Sequence, residues 1–474
     1  MIQAIDQILE EAGPLSAQAR LEARVRAHVL AQLVCLGEHT ITGLLCASGR
    51  QGADWTADYR LYTAHRVHTP AIFAAVRRGV EARLAPDQPL VVALDDSLLR
   101  KRGRTVFGAA WRPDPLGPPF QIGFAWSQRV LQLAVALPEG SEGAARTVPI
   151  DFVHAPTAPR PRKHAPPEAW AAYRQEQKRL NINVQAAARV DALVHARPQE
   201  AQARPVWITV DGRFTNRTFF KKVPAQTVII GRLRGDARLH QAVSPHAPSR
   251  SGGRPRYYGP VQPTPEELRQ NDQIPWQMVE AFAAGQRHVF KIKTLEPLRW
   301  RVAGAHRTLR LVVIAPLGYR LGQGRRVLYR KPAYLICTDP NLPLDAFLQA
   351  YLWRWGIEVN FRDEKTLLGV GQARVRHPRA VERVPQLAVA AYAVLLLAAA
   401  RTAQPLELPL PAWRRASPPT HATTAQLINQ LRYELWADAF RPGLCDFMRK
   451  PPADQNAQKP RPCLETAVFY ALAG

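Results

Sequence analysis

Between residues 351 and 365 the chain reads Tyr351-Leu-Trp-Arg354-Trp-Gly-Ile-Glu358-Val-Asn-Phe-Arg-Asp-Glu-Lys365. An α-helix turns about 100° per residue, so Tyr351, Arg354, Glu358 and Lys365 fall within an arc of roughly 60° on one face. Asp363 and Glu364 point elsewhere. An aromatic hydroxyl, two cations and a carboxylate therefore share a stripe on an otherwise apolar and aromatic segment. A phosphodiester backbone and a metal ion together want such a set. The bland alternative is an amphipathic helix with an ordinary ion pair between Arg354 and Glu358.

Two further acidic positions stand where chemistry could use them. Asp95 and Asp96 close the apolar run Pro89–Leu94, and Asp211 closes Pro205–Val210. Near-continuous apolar runs of this length read as buried strands. Acids at their ends emerge at the rim of a sheet, where active sites of α/β folds tend to lie. Either site alone reads as an acidic turn or helix cap; together with Glu358 they make a set. Hard divalent cations take oxygen ligands. The chain offers three carboxylates from distant segments and no competing His/Cys cluster. Neighbours on a strand face opposite ways, so only one of Asp95 and Asp96 should ligate; Asp95 is slightly favoured and Asp96 stays open. Arg213, Arg217, Lys221 and Lys222 follow Asp211 closely, as a solvated basic face or as phosphate contacts. The cysteines (Cys35, Cys46, Cys337, Cys445, Cys463) are scattered, without metal-ligand spacing. Their odd number fits a reducing cytoplasm.

These residues need elements to hold them. Residues 1–88 read as helical, from apolar spacing in Ile2–Leu9, Arg24–Cys35 and Ala71–Leu84. They would form a DNA-binding head or a plain packing unit. After the strand ending in Asp95-Asp96, Thr105–Trp111 and Val130–Leu137 read as strands of a meander. Residues 155–167 read as an exposed linker and Glu168–Ala196 as one long helix. The strand before Asp211 follows, and then Thr227–Gly231. From 235 to 345 the chain turns β-rich, with a Gly/Arg loop at Ser249–Arg256 and strands at His288–Lys293, Leu309–Ile314, Arg326–Tyr329 and Ala333–Cys337. The stripe-bearing helix begins near Leu344, and the chain is mainly helical from Pro378. The apolar run Leu387–Ala400 is 14 residues long and rich in alanine; a buried core helix is the better reading than a membrane span.

At 474 residues the chain holds two to four folding units, and its 46% apolar residues support sizeable cores. The formal net charge of +26 is extreme. It suits a protein that lies along a polyanion and releases counterions on binding. Charge selects the class of partner, not the function.

The spacing Tyr-x2-Arg-x3-Glu-x6-Lys resembles the Y-R-E-K signature of one branch of the DDE transposases of bacterial insertion sequences, matching it at all four positions. Leu94-Asp-Asp-Ser97, Lys101-Arg-Gly103, Val210-Asp-Gly212 and Leu367-Leu-Gly369-Val-Gly371 also look familiar, and the likeness spans roughly residues 89–380. It implies an α/β fold: a ribonuclease H-like mixed sheet flanked by helices, with a β-rich insertion and helical N- and C-terminal regions. The corresponding division is 1–88, 89–234, 235–345, 346–380 and 381–474. It implies two Mg2+ ions, with Mn2+ substituting, held by Asp95 (or Asp96), Asp211 and Glu358. Tyr351, Arg354, Lys365 and Arg213 would contact DNA. A flipped base would stack on an aromatic such as Trp300, Trp353 or Trp355, although tryptophans in segments this apolar are ordinarily core residues. The implied partners are double-stranded DNA, as transposon ends and target, and a second copy of the chain in a synaptic complex. A bacterial cytoplasmic, nucleoid-associated protein that binds terminal inverted repeats, cleaves there and joins 3′ ends to target DNA is expected, with no membrane. A metal-dependent nuclease without strand transfer and a domesticated DNA-binding protein are the alternatives.

Overall fold

The computed structural model describes residues 1–436 and Val468, apart from 65, 115, 116, 119, 141, 142, 244–256, 306, 321–323, 403–405, 412 and 414–420. The expected Gly/Arg loop at 249–256, Cys445 and Cys463 lie outside the described residues.

Five helices come first: α1 (Ile2–Glu11), α2 (Ala19–Val34), α3 (Ile41–Ala47), α4 (Thr56–Thr63) and α5 (Thr69–Glu81). Four strands follow: β1 (Leu90–Arg100), β2 (Ala110–Pro113), β3 (Phe124–Glu139) and β4 (Ala144–His154). Then come α6 (Pro167–Arg179), α7 (Ile182–His195), α8 (Gln199–Gln202), β5 (Val206–Val210), α9 (Arg217–Lys222) and β6 (Val228–Arg232). β1 runs antiparallel to β3 and parallel to β5, β3 carries β4 on its other side, and β5 is parallel to β6. The order β4-β3-β1-β5-β6, with its antiparallel meander and parallel crossover, is the ribonuclease H-like arrangement of the expected mixed sheet.

The β-rich segment comprises β7 (His240–Ala242), β8 (Tyr258–Val261), α10 (Pro265–Gln270), β9 (Gln277–Ala283), β10 (Gln286–Arg299), β11 (Leu309–Ile314), β12 (Gly318–Tyr319), β13 (Leu328–Tyr329) and β14 (Ala333–Cys337). Most of it does not stand apart. β14 pairs antiparallel with β6, and β11, β10, β7 and β8 continue outward, giving a 12-stranded sheet. Strand pattern in the sequence could not reveal this, because an alternating or apolar run does not say which edge it joins.

Alternate residues of β1 feed both faces. Leu90, Val92 and Leu94 join the large cluster that contains Val76 of α5. Val91 packs in the cluster of Phe347 and Leu348, and Ala93 in that of Ile357 and Phe361. Helices therefore cover the sheet on both sides: α1, α2, α5 and α13 (Pro378–Arg401) on one, α11 (Leu344–Trp353) and α12 (Trp355–Thr366) on the other. The N-terminal helices share a single core with the sheet and α13.

α13 contains the apolar run noted in the sequence. Its 24 residues are long and apolar enough to cross a membrane, but 78% of its most apolar stretch is buried inside the protein. It fills the core role expected of it.

Local differences from expectation have local causes. The long helix over 168–196 breaks at Leu180, and Asn181 caps α7 by accepting from the Asn183 backbone N–H at 2.9 Å. The third meander strand is β4, whose Ala-Ala-Arg-Thr-Val-Pro start hides any alternation. β2 covers only the end of the expected strand at 105–111.

Candidate active site

The site begins with the two faces of β1. Asp95 lies opposite Gln132 and Asp96 opposite Leu131. Strand alternation sends the two carboxylates apart, and they meet different partners. Asp96 sits among arginines: Arg129 Nε and Arg213 Nη1 each stand 3.4 Å from its Oδ2. Burial raises the Asp96 carboxyl above the usual range, while these two guanidiniums hold it down.

Asp95 shares its face with α12. Its Oδ2 lies 3.3 Å from Arg354 Nη1, whose Nη2 donates to Glu358 Oε1 at 2.7 Å. One guanidinium thus spans the two acids. The Asp96 N–H donates to Asp95 Oδ1 at 2.8 Å. Burial and then the nearby negative charge of Asp211 push the Asp95 carboxyl up to about 7, against the pull of Arg354.

Asp211 follows β5, the strand parallel to β1. Its Oδ1 accepts from the Arg213 N–H at 2.9 Å, a local turn that fixes the carboxylate at the rim. The parallel β1–β5 pairing is what brings it to Asp95.

The segment 344–366 is not one uninterrupted helix. At Arg354 the N–H bonds to Tyr351 O at 3.2 Å, an i→i−3 bond, and α11 gives way to α12. Arg354 keeps helical dihedrals, φ −51° and ψ −33°, so the stripe survives the break. Arg354 lies over the Tyr351 ring at 5.8 Å, and Lys365 donates to Ser97 Oγ at 2.5 Å. Lys365 therefore meets β1 two residues beyond Asp95, on the same face.

The back of α12 is anchored. Asp363 accepts from Thr424 Oγ1 at 2.6 Å, on the C-terminal helix Thr424–Trp436. Asn360 donates to Thr147 O of β4 at 3.0 Å. Gly356 makes the approach to β4 possible: a Cβ there would meet Thr147 Oγ1 at 1.9 Å. Asp363 and Glu364, off the stripe as expected, are both buried, and burial pushes Glu364 up to about 8.

Asp95, Asp96, Asp211, Arg213 and Lys365 line one cleft of about 1500 Å³ with Arg129, Lys101, Arg102, Arg374 and Arg376. That exceeds an ordinary small-molecule pocket. Glu358 and Arg354 adjoin it through Asp95. Trp300 does not line it; it is half-buried against the main core at the end of β10. Trp353 is also half-buried and donates to Gly143 O at 2.8 Å, whereas Trp355 is 63% exposed. Arg129 was not singled out from the sequence, although an arginine beside the apolar run 130–137 is the signal that could have found it.

Among the described residues, no three His, Cys, Asp or Glu side chains stand together as a ready-made metal cluster. Asp95 and Glu358 are instead joined through the Arg354 guanidinium.

The model of the DDE superfamily endonuclease family matches residues 14–306, more than half of the chain. The chain belongs to that family. It is accordingly a transposase-like nuclease, of a class that acts on DNA and generally uses divalent metal ions. The match takes in Asp95 and Asp211 and ends before the helix that carries Glu358. No curated protein matches the chain.

Proposed function

We propose that the protein is the transposase of a bacterial insertion sequence, of the Y-R-E-K branch. It binds the element's terminal inverted repeats, cleaves there and joins the 3′ ends to target DNA, acting as a dimer that holds two ends together. The observation that supports this reading is that Arg354 bridges Asp95 at 3.3 Å and Glu358 at 2.7 Å, while Asp211 is near enough to Asp95 to raise its carboxyl.

The residues fit a pair of hard cations. Asp95 and Asp211 are oxygen donors, and burial first and the charge of Asp211 second raise the Asp95 carboxyl against the pull of Arg354, a balance that a divalent ion would relieve. Mg2+, or Mn2+ in its place, would be held by Asp95, Asp211 and Glu358. Bound there, the ions would activate the attacking oxygen and stabilise the leaving one. Asp95 is the better ligand of the doublet, because Asp96 is already paired with two arginines, Arg129 and Arg213. Arg213, Arg354 and Lys365 would grip phosphates flanking the scissile bond, with Tyr351 stacked beneath Arg354.

Glu358→Gln tests the assignment. It should leave DNA binding in a gel-shift assay near the wild-type level and abolish cleavage. Cleavage at the wild-type rate would remove Glu358 from the chemistry. Joining of a precut 3′ end to plasmid DNA in magnesium separates transposase from simple nuclease.

A further inference from the structure

The hairpin of β2 and β3 shows an unusual surface. Trp111 is 67% exposed and Phe124 61%, and Phe120 and Ile122 near its tip are 89% and 78% exposed. A soluble protein rarely leaves large apolar groups together on one face without a partner.

Register shows which face this is. Asp95 lies opposite Gln132, and no irregularity interrupts the pairing of β1 with β3. Every second residue of β3 from Gln132, through Gln128 to Trp126 and Phe124, is on the Asp95 side. Trp111 lies opposite Trp126, and Pro113 opposite Phe124. Directly opposed residues share a face. Trp111, Pro113, Phe124 and Trp126 thus continue the very surface that carries Asp95. The reverse face of the hairpin is buried at Arg112, Ala125 and Ser127.

We propose that this hairpin face is a base-stacking platform for unstacked bases of the DNA lying in the cleft. The inference rests on the nuclease reading of the site. Six residues of β3 separate Gln132 from Trp126, about 20 Å at 3.3 Å per residue. A DNA strand rises 3.4 Å per nucleotide, so the platform meets DNA roughly six nucleotides from the reacting phosphate. Charge complementarity selects the occupant. Arg102, Arg374 and Arg376 line the cleft beside Phe124 and Trp126. A basic groove tracking a backbone, with aromatics for the bases, is what single-stranded nucleic acid takes. The same basic rim on a chain of net charge +26 disfavours a second copy as the cover.

The test uses full-length protein carrying Glu358→Gln and a short blunt duplex with 2-aminopurine walked inward from one 3′ end. Unstacking brightens this base, so enhanced fluorescence should appear about six nucleotides in and at few other positions. Adding Trp111→Ser and Phe124→Ser, both at exposed sites, should remove the enhancement and weaken binding of a duplex mismatched there on the order of tenfold. Enhancement that survives the double substitution, or none at any position, overturns the platform. So does conversion of a dimer to a monomer by light scattering with DNA binding unchanged, which would assign the face to a second copy. Nicking of supercoiled plasmid by wild-type protein in manganese is measured alongside. No nicking would sink the nuclease reading itself; nicking without enhancement would sink the platform alone.

Discussion

Asp95 gives a quantitative handle on the site without any DNA. Its carboxyl stands at about 7 in the fold against an ordinary 3.8, through burial first and Asp211 second. A carboxylate raised in this way binds its proton more tightly folded than unfolded. Its favourable contribution is complete below pH 3.8 and is lost as pH rises through 7. Three pKa units at 1.36 kcal/mol each set the cost of the ionised form at about 4 kcal/mol. Asp95→Asn removes the ionisation while keeping the shape. In chelator, urea unfolding of this variant should match the wild type near pH 4. It should exceed it progressively above that, by up to about 4 kcal/mol at pH 8. Loss of the Arg354 contact makes that figure an upper bound. Millimolar magnesium should flatten the wild-type pH profile and leave the variant's slope unchanged. A stability difference independent of pH, or a wild type that is the more stable protein at pH 8 in chelator, would refute the electrostatic reasoning.

Gly356→Ala drives a methyl into Thr147; it should destabilise by about 1–3 kcal/mol in urea and slow cleavage through displacement of α12. Thr147→Ala added to it should restore part of both. Lys365→Met removes a cation whose pKa burial already lowers, so thermal stability at pH 7 should hold within about 1 kcal/mol while DNA affinity, by fluorescence anisotropy, falls roughly tenfold and its salt slope shrinks by about one.

The two acid-bearing strands were legible because burial on both faces demands nearly unbroken apolar runs. Pro89–Leu94 and Pro205–Val210 therefore announced two strands; Asp211 does follow β5, but β1 runs on to Arg100, so Asp95 and Asp96 lie within it and not at its end. The apolar run in α13 was legible for the same reason. Less visible was anything set by pairing. β4 begins with alanines, an arginine and a proline, and its membership of the sheet comes from β3, not from its own pattern. Trp111, Phe120, Ile122 and Phe124 resemble core residues in the sequence, because nothing local distinguishes an apolar side chain that is covered from one left bare. The spacing of the stripe from Tyr351 to Lys365 predicts one helix. Two i→i−3 bonds, from the Arg354 N–H to Tyr351 O and from the Ile357 N–H to Arg354 O, divide it without changing helical dihedrals, so spacing could predict the face but not the break.

That break leads to one more expectation. Arg354 lies at the junction of two helices and stands between Asp95 and Glu358. In that position it neutralises two acids that would otherwise repel. A divalent ion shared by them must draw the guanidinium away, and the most favourable new partner for an arginine is a phosphate, which it grips in bidentate fashion. Metal loading and DNA binding should then be coupled through this one side chain. Magnesium affinity, measured by calorimetry with the chain alone and with a short duplex, should be several-fold tighter with DNA, a coupling on the order of 1 kcal/mol. Arg354→Met should raise the affinity of the DNA-free protein and erase the difference. It should also destabilise the metal-free fold by about 3 kcal/mol, because two partly buried carboxylates lose their counter-charge. Equal affinities with and without DNA in the wild type would mean that Arg354 is a structural ion pair and nothing more.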